Sequence, residues 1–163
     1  MNDGSDLKGK VCVVTGAAGV LCCQMAEALA ASGAKVALIG RTMAKLEALA
    51  AGLGDKGLKS TLPVPADVMD KASLEAAREK INREWGPVEV LINGAGGNSP
   101  AATSALETLG PANLGELGKS FFGLDPAAVK GVFDLNFTGT LLPCMVFGQD
   151  MLKAGRGVII NVS

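Results

Sequence analysis

The stretch Val11-Cys12-Val13-Val14 is apolar at every position, and it runs through Thr15-Gly16-Ala17-Ala18-Gly19 into a second apolar run at Val20. A strand with one wet face alternates polar and apolar residues. A strand that does not alternate is covered on both sides, as in a parallel sheet sandwiched by helices. Glycines at its end let the chain turn sharply into the helix that such a sheet requires. Val158-Ile159-Ile160 repeats the unalternating pattern near the other end of the chain. These two runs point to an α/β fold before any other residue is considered.

The intervening sequence keeps the alternation. Strands are expected near Lys10 to Thr15, Lys35 to Ile39, Ser60 to Pro65, Val88 to Ile92 and Val158 to Val162. Helices are expected near Val20 to Ser32, Met43 to Ala51, Lys71 to Trp85 and, as one long element, Pro126 to Lys153. Asp70 can cap the helix whose apolar stripe is Leu74, Ala77, Ile81 and Trp85, and Gly86-Pro87 stops it. Asp125-Pro126 opens the long helix, with proline at the first helical position, and Pro143 is expected to kink it. Gly94 to Leu124 is longer than an ordinary strand-to-helix connection, and segments of that length are usually functional or mobile. No internal repeat and no second domain is visible.

Composition removes several function classes. At 163 residues and 48% hydrophobic, the chain can build one sizeable core, hiding roughly 70% of the surface its unfolded form exposes. A formal charge of −1 without a basic run argues against nucleic acid as a partner, and the lack of a long apolar stretch argues against a membrane span. Met1 to Lys10 is polar and the first apolar run is cut at Gly16, so no secretory signal is expected and the cytoplasm is the expected compartment. With neither histidine nor tyrosine, imidazole catalysis, histidine-ligated metal and phenolic proton transfer have no donor here, and no metal site is expected. Cys12, Cys22, Cys23 and Cys144 follow no metal-ligand spacing and read as small buried hydrophobes.

The glycine turn after the first strand is where a phosphate can sit: main-chain N–H groups at a helix N-terminus face an anion, and glycines admit its close approach. A tight turn without ligand would use the same residues. Val90-Leu91-Ile92-Asn93-Gly94-Ala95-Gly96-Gly97 supplies a second glycine cluster, after a strand that a doubly wound sheet places beside the first. Both clusters then face one crevice, at the point where strand order reverses. Asp67, after the third strand, points to the same edge. It either accepts a hydrogen bond from an adenine amino group there or is an ordinary turn residue.

On these residues the chain resembles the amino-terminal part of the short-chain dehydrogenase/reductases, from about Leu7 to Ser163. That family's first turn reads T-G-x-x-x-G-x-G, its fourth strand ends in N-N-A-G, and a later helix carries an Asn in an L-N-x-x-G-like segment. Thr15 to Cys22, Asn93-Gly94-Ala95-Gly96 and Leu135-Asn136-Phe137-Thr138-Gly139 occupy those places in order. The departures are local. Val20 and Cys22 stand where the family has its second and third glycines, and Gly94 replaces its second Asn. The resemblance implies a Rossmann fold with strand order 3-2-1-4-5, truncated after the fifth strand, and a single NAD(P)-binding domain over 1–163, incomplete at its carboxyl end. It assigns Thr15, Gly16, Ala18, Gly19, Val20, Leu21, Arg41, Thr42, Asp67, Val68, Asn93, Gly94, Ala95 and Gly96 to the dinucleotide.

An acid after the second strand would grip the ribose of NAD, but this chain has Arg41-Thr42 there, so NADP is the expected cofactor, with NAD as the alternative. Arg41 as a solvated surface charge is the competing reading. Asn136 lies on the stripe Val129, Val132, Phe133, Asn136, Thr140, so its amide should be partly buried and bonded. By resemblance it is the catalytic Asn that holds a water in the proton relay. A structural Asn bonding a neighbouring backbone is the other possibility.

The family's catalytic Ser falls at Ser163 or one residue beyond, and its Tyr-x-x-x-Lys motif is not in this sequence. The 163 residues are therefore expected to be a fragment, unable to turn over substrate alone, of an enzyme that forms homo-oligomers. The Gly96-Gly97-Asn98-Ser99-Pro100 continuation, the long segment to Phe121-Phe122, and Leu141-Leu142-Pro143 resemble a branch acting on D-mannonate or fructuronate, so a small-molecule sugar acid is the expected substrate. A dinucleotide sensor without chemistry and an interaction module are the alternatives.

Overall fold

Alternate residues of the first strand feed two different cores. In the computed structural model, which describes residues 5–162, β1 (Val11–Thr15) is buried throughout. Val11 and Val13 pack on one face with Leu91, Leu74, Ile81, Val146 and Phe147. Cys12 and Val14 pack on the other with Val36, Leu38, Leu46, Ala26 and Ile92. Burial on both faces is the reason the run does not alternate.

Five strands, β1, β2 (Lys35–Gly40), β3 (Thr61–Pro65), β4 (Val90–Asn93) and β5 (Val158–Asn161), form one parallel sheet in the order β3-β2-β1-β4-β5, as expected. After β1 come α1 (Val20–Ala31), β2 (Lys35–Gly40), α2 (Met43–Asp55), β3 (Thr61–Pro65), α3 (Lys71–Trp85) and β4 (Val90–Asn93). Val13 stands in register with Ala37 of β2 on one side and Leu91 of β4 on the other, so strand order reverses at β1. The crevice of a doubly wound sheet opens at that reversal, past the carboxyl ends of β1 and β4.

The caps form as the sequence indicates. Asp70 Oδ1 accepts from Ala72 N at 2.9 Å and Asp125 Oδ1 from Ala127 N at 3.0 Å. Gly86 ends α3 at φ +96, a conformation that L side chains resist.

The long helix differs from expectation. It is split into α4 (Pro126–Phe133) and α5 (Gly139–Ala154) by a π turn over Asp134–Thr138, upstream of Pro143. Gly139 N–H reaches back to Asp134 O, while Asn136 Nδ2 takes the Val132 carbonyl at 2.8 Å. A side chain inserted into the main-chain ladder widens the turn there. Pro143, which has no N–H to return to Gly139, follows a ladder already reset and stays inside α5. The long segment after β4 is built of short 3₁₀ turns at Pro100–Ala102, Pro111–Lys119 and Phe121–Gly123. Ala105 N–H to Lys119 O at 2.9 Å and Asp125 N–H to Ala101 O at 3.2 Å tie it together.

Two of the cysteines are not fully buried. Cys12 and Cys22 are, but Cys23 faces the groove between α1 and α2 and Cys144 sits beside Asn93, each half-exposed.

The two edges of the sheet differ. Ala66 N donates inward to Gly40 O at 3.0 Å, and a strand's N–H groups alternate in direction, so Pro63 and Pro65 of β3 fall at the outward positions. At the far side β5 (Val158–Asn161) leaves Val158, Ile159 and Ile160 exposed by 53%, 41% and 47%.

Candidate dinucleotide site

The turn after β1 and the turn after β4 touch backbone to backbone. Gly16 adopts φ +65, and a Cβ built on it would lie 2.9 Å from both Ala95 Cα and Gly94 O, so both its conformation and its neighbours require glycine. Thr15, fully buried behind the turn, accepts from Gly94 N at 3.1 Å and Ala95 N at 3.2 Å through its hydroxyl. At the strand end Asn93 donates to Asn161 Oδ1 at 2.9 Å and Cys144 Sγ at 3.1 Å, which ties β4 to β5 and α5.

Between the two turns lies a cleft of about 350 Å³ lined by Gly16, Ala18, Gly19, Arg41, Asp67, Val68, Gly94, Ala95 and Gly96. Nine of the residues singled out in the sequence thus meet in one place. The others do not line it. Thr15 and Asn93 are buried behind it, Thr42 is the N-cap of α2, and Val20 and Leu21 are exposed at the start of α1. Gly40, Lys45, Ala66, Met69 and Leu135 line the cleft without having been anticipated. Lys45 had a signal, four residues beyond Arg41 across the start of α2. Leu135 had one as well, directly before Asn136.

The walls suit a diphosphate with an adenosine at one end. Gly19 is the N-cap of α1 and, having no side chain, makes no cap bond of its own to the first N–H groups of the helix. Arg41 is exposed on the cleft and enters no ion pair among the described residues. Asp67 does two things at once. Its Oδ1 accepts from Met69 N at 2.9 Å as a turn residue, and the residue also lines the cleft.

Asn136 is more exposed than its position on an apolar stripe indicated, because Phe133 and Phe137 beside it are themselves 69% and 68% exposed. Both of its amide protons and one lone pair of its oxygen are nonetheless bonded. Nδ2 donates to Gly97 O at 2.7 Å and to Val132 O, and Oδ1 accepts from Gly97 N at 3.3 Å. Gly96 passes so close that an added Cβ would stand 2.6 Å from that oxygen. The carboxamide therefore clasps the loop after β4. Ser163 lies outside the described residues, but Val162 N–H bonds Asn93 O at 2.9 Å, so the chain leaves β5 beside the end of β4.

A glycine-walled cleft at the reversal of an all-parallel sheet marks an α/β protein of the doubly wound class and lies where such proteins bind their ligands. Comparison with known proteins narrows this. The short chain dehydrogenase pattern matches residues 10–163, and the chain belongs to that family. It is 46% identical over 158 residues to the uncharacterised oxidoreductase UxuB of Bacillus subtilis (strain 168), covering 97% of this chain and 55% of the relative. A candidate D-mannonate oxidoreductase from Haemophilus influenza, solved with bound NAD, superposes with TM-score 0.89 at 35% identity, covering 99% of this chain and 58% of that one. A metagenomic short-chain oxidoreductase in complex with NADP superposes with TM-score 0.76 at 27% identity, over 96% of this chain and 63% of that one. The chain spans about half the length of the curated relatives it matches.

Proposed function

We propose that this chain is the dinucleotide-binding domain, over residues 1–163, of a cytoplasmic NADP(H)-dependent oxidoreductase that interconverts a carbonyl and a secondary alcohol, with a sugar acid as substrate. The supporting observation is the cleft itself: bare backbone at Gly16, Gly19, Gly94 and Gly96 at its centre, and on its rim an arginine with no ion-pair partner among the described residues. Bound there, the nicotinamide would accept or supply a hydride.

In this reading the chain's own residues do the holding. Main-chain N–H groups at the start of α1 take the diphosphate. Arg41 takes the ribose 2'-phosphate through charge-assisted hydrogen bonds, and Asp67 and Val68 bound the adenine end. Thr15 and Asn93 keep the two turns in place from behind. Asn136 has both amide protons committed to Gly97 and Val132, so its side chain orients the loop, and its part in a proton relay, by resemblance to the family, would be to hold a water.

A phenolic proton donor would come from outside these 163 residues, which contain no tyrosine, so the chain by itself binds dinucleotide without turnover. The sugar-acid assignment follows the likeness to the Haemophilus protein, and the homo-oligomeric state follows the family.

Fluorescence titration decides the cofactor reading, with tighter binding of NADPH than of NADH expected. Equal or tighter NADH binding overturns the NADP assignment. Reductase activity in a purified, mass-verified 163-residue chain overturns the division of labour. In the full-length protein, no oxidation of D-mannonate with either nucleotide overturns the substrate.

A further inference from the structure

Gly94 is a glycine for a reason that its own backbone does not supply. It has no positive φ. A Cβ built on it would instead overlap Cys22 Sγ, while the next nearest atoms, Thr15 O at 3.4 Å and Cys22 Cβ at 3.8 Å, are at ordinary contact distance. One sulfur atom is what forbids a side chain at this point of the cleft wall.

The same sulfur holds what it excludes. Cys22 Sγ donates to Gly94 O at 3.5 Å, and Gly94 N donates to Thr15 Oγ1, so the residue is gripped at both of its peptide groups by the two ends of the β1-to-α1 turn. Cys22 is 4% exposed, and burial, with Cys23 adding to it, pushes its thiol above the ordinary value. The S–H therefore remains a donor through neutral pH. Cys22 does not line the cleft, whereas Gly94 does, so any influence on a ligand passes through Gly94.

We propose that Cys22 is a positioning residue that seats the turn after β4 against the turn after β1 and so sets the opening of the dinucleotide cleft, with Cys22 and Gly94 forming one interdependent pair. The inference rests on the cofactor reading above, since it assigns a purpose to the spacing of that cleft. A helix in which residue 22 carried no sulfur would leave room for a side chain at 94. The bare wall is thus a property of the pair and not of either position alone.

A double-mutant cycle in the protein expressed from its full reading frame tests this. NADPH affinity and the thermal midpoint are measured for wild type, Cys22→Ala, Gly94→Ala, the double variant and Cys22→Ser. Gly94→Ala alone forces the sulfur off its seat and is expected to weaken NADPH by about tenfold. Adding Cys22→Ala leaves the new methyl only the two ordinary contacts, and affinity is expected to return to within about threefold of wild type. Cys22→Ser keeps a donor to Gly94 O on a smaller atom and is expected to bind as wild type does, which a packing role alone would not require.

Equal weakening by Gly94→Ala with and without the sulfur overturns the proposal. Absence of any nicotinamide nucleotide binding by the wild type sinks the cofactor reading instead. The thermal midpoints then still judge the pair, since coupled shifts support the seating and additive shifts reject it.

Discussion

Asn136 and Gly97 exchange a pair of hydrogen bonds, the side-chain amide giving one to Gly97 O at 2.7 Å and receiving one from Gly97 N at 3.3 Å. A helix residue thereby reads a loop peptide as another strand would. Asn136→Ala removes both bonds and the one to Val132 O, each worth about 1 kcal/mol net. We expect faster amide exchange at Gly97 and a lower thermal midpoint. Asn136→Asp retains the acceptor and should fall between the two. Unchanged exchange at Gly97 in Asn136→Ala would show that the loop is held by something else.

Arg41 lies on the cleft rim without an ion-pair partner among the described residues. Arg41→Asp substitutes a group that repels a 2'-phosphate and can accept from a ribose hydroxyl. The ratio of NADPH to NADH affinity should drop by about 10- to 100-fold, equivalent to about 1.4–2.7 kcal/mol. Raising the salt concentration should weaken NADPH binding to the parent protein more than NADH binding. A ratio indifferent to the substitution would leave Arg41 as a solvated surface charge.

Gly16→Ala combines a left-handed backbone with two contacts at 2.9 Å. The backbone conformation alone costs on the order of 1–3 kcal/mol, and the methyl must also push the turn after β4 away. Loss of dinucleotide binding together with a destabilised fold is expected. A variant that keeps full affinity in titration would contradict the close approach of the two turns.

Asp150, 3% exposed on α5, accepts from Arg78 Nε at 2.8 Å and from Val88 N at 3.2 Å, pinning α3 and the approach to β4 to one carboxylate. Burial alone would raise this carboxyl. The Arg78 guanidinium, the Val88 N–H and the Asn82 amide outweigh that and hold it below the ordinary carboxylate value. Because the folded value is depressed, the stabilisation is present above the unfolded pKa of about 4 and is lost as pH falls through the lower folded value. Acid unfolding should therefore steepen below about pH 4. Asp150→Asn should lose about 3–5 kcal/mol near neutrality, as expected when one partner of a buried pair is removed, and should show a flatter acid limb. Chemical denaturation across pH gives both readouts.

Strand positions and capping residues were legible because each rests on local chemistry, in unbroken apolar runs, Asp70, Asp125 and Gly86, whereas the strand order came with the family resemblance. The cleft was legible through its glycines, which sit together at Gly16, Gly19, Gly94 and Gly96. What escaped was set by side-chain contacts that hydrophobic periodicity does not report. The π turn arises from a side chain competing for a carbonyl within the helix, while Pro143 carried the louder signal. The exposure of Asn136 depends on what stands next to Phe133 and Phe137, which helical periodicity does not report. Lys45 and Met69 reach the cleft through the geometry of α2 and the β3 turn, which spacing alone does not give.

The prolines at the outward positions of β3 and the bare flank of β5 give the sheet a polarity of growth. One border offers no hydrogen donor at Pro63 or Pro65 and repels an added ribbon, whereas the other keeps its ladder and its aliphatic rungs open. Of the two borders, β5 is therefore the one a further strand can pair with, and covering it is expected to lower the tendency of this chain to associate.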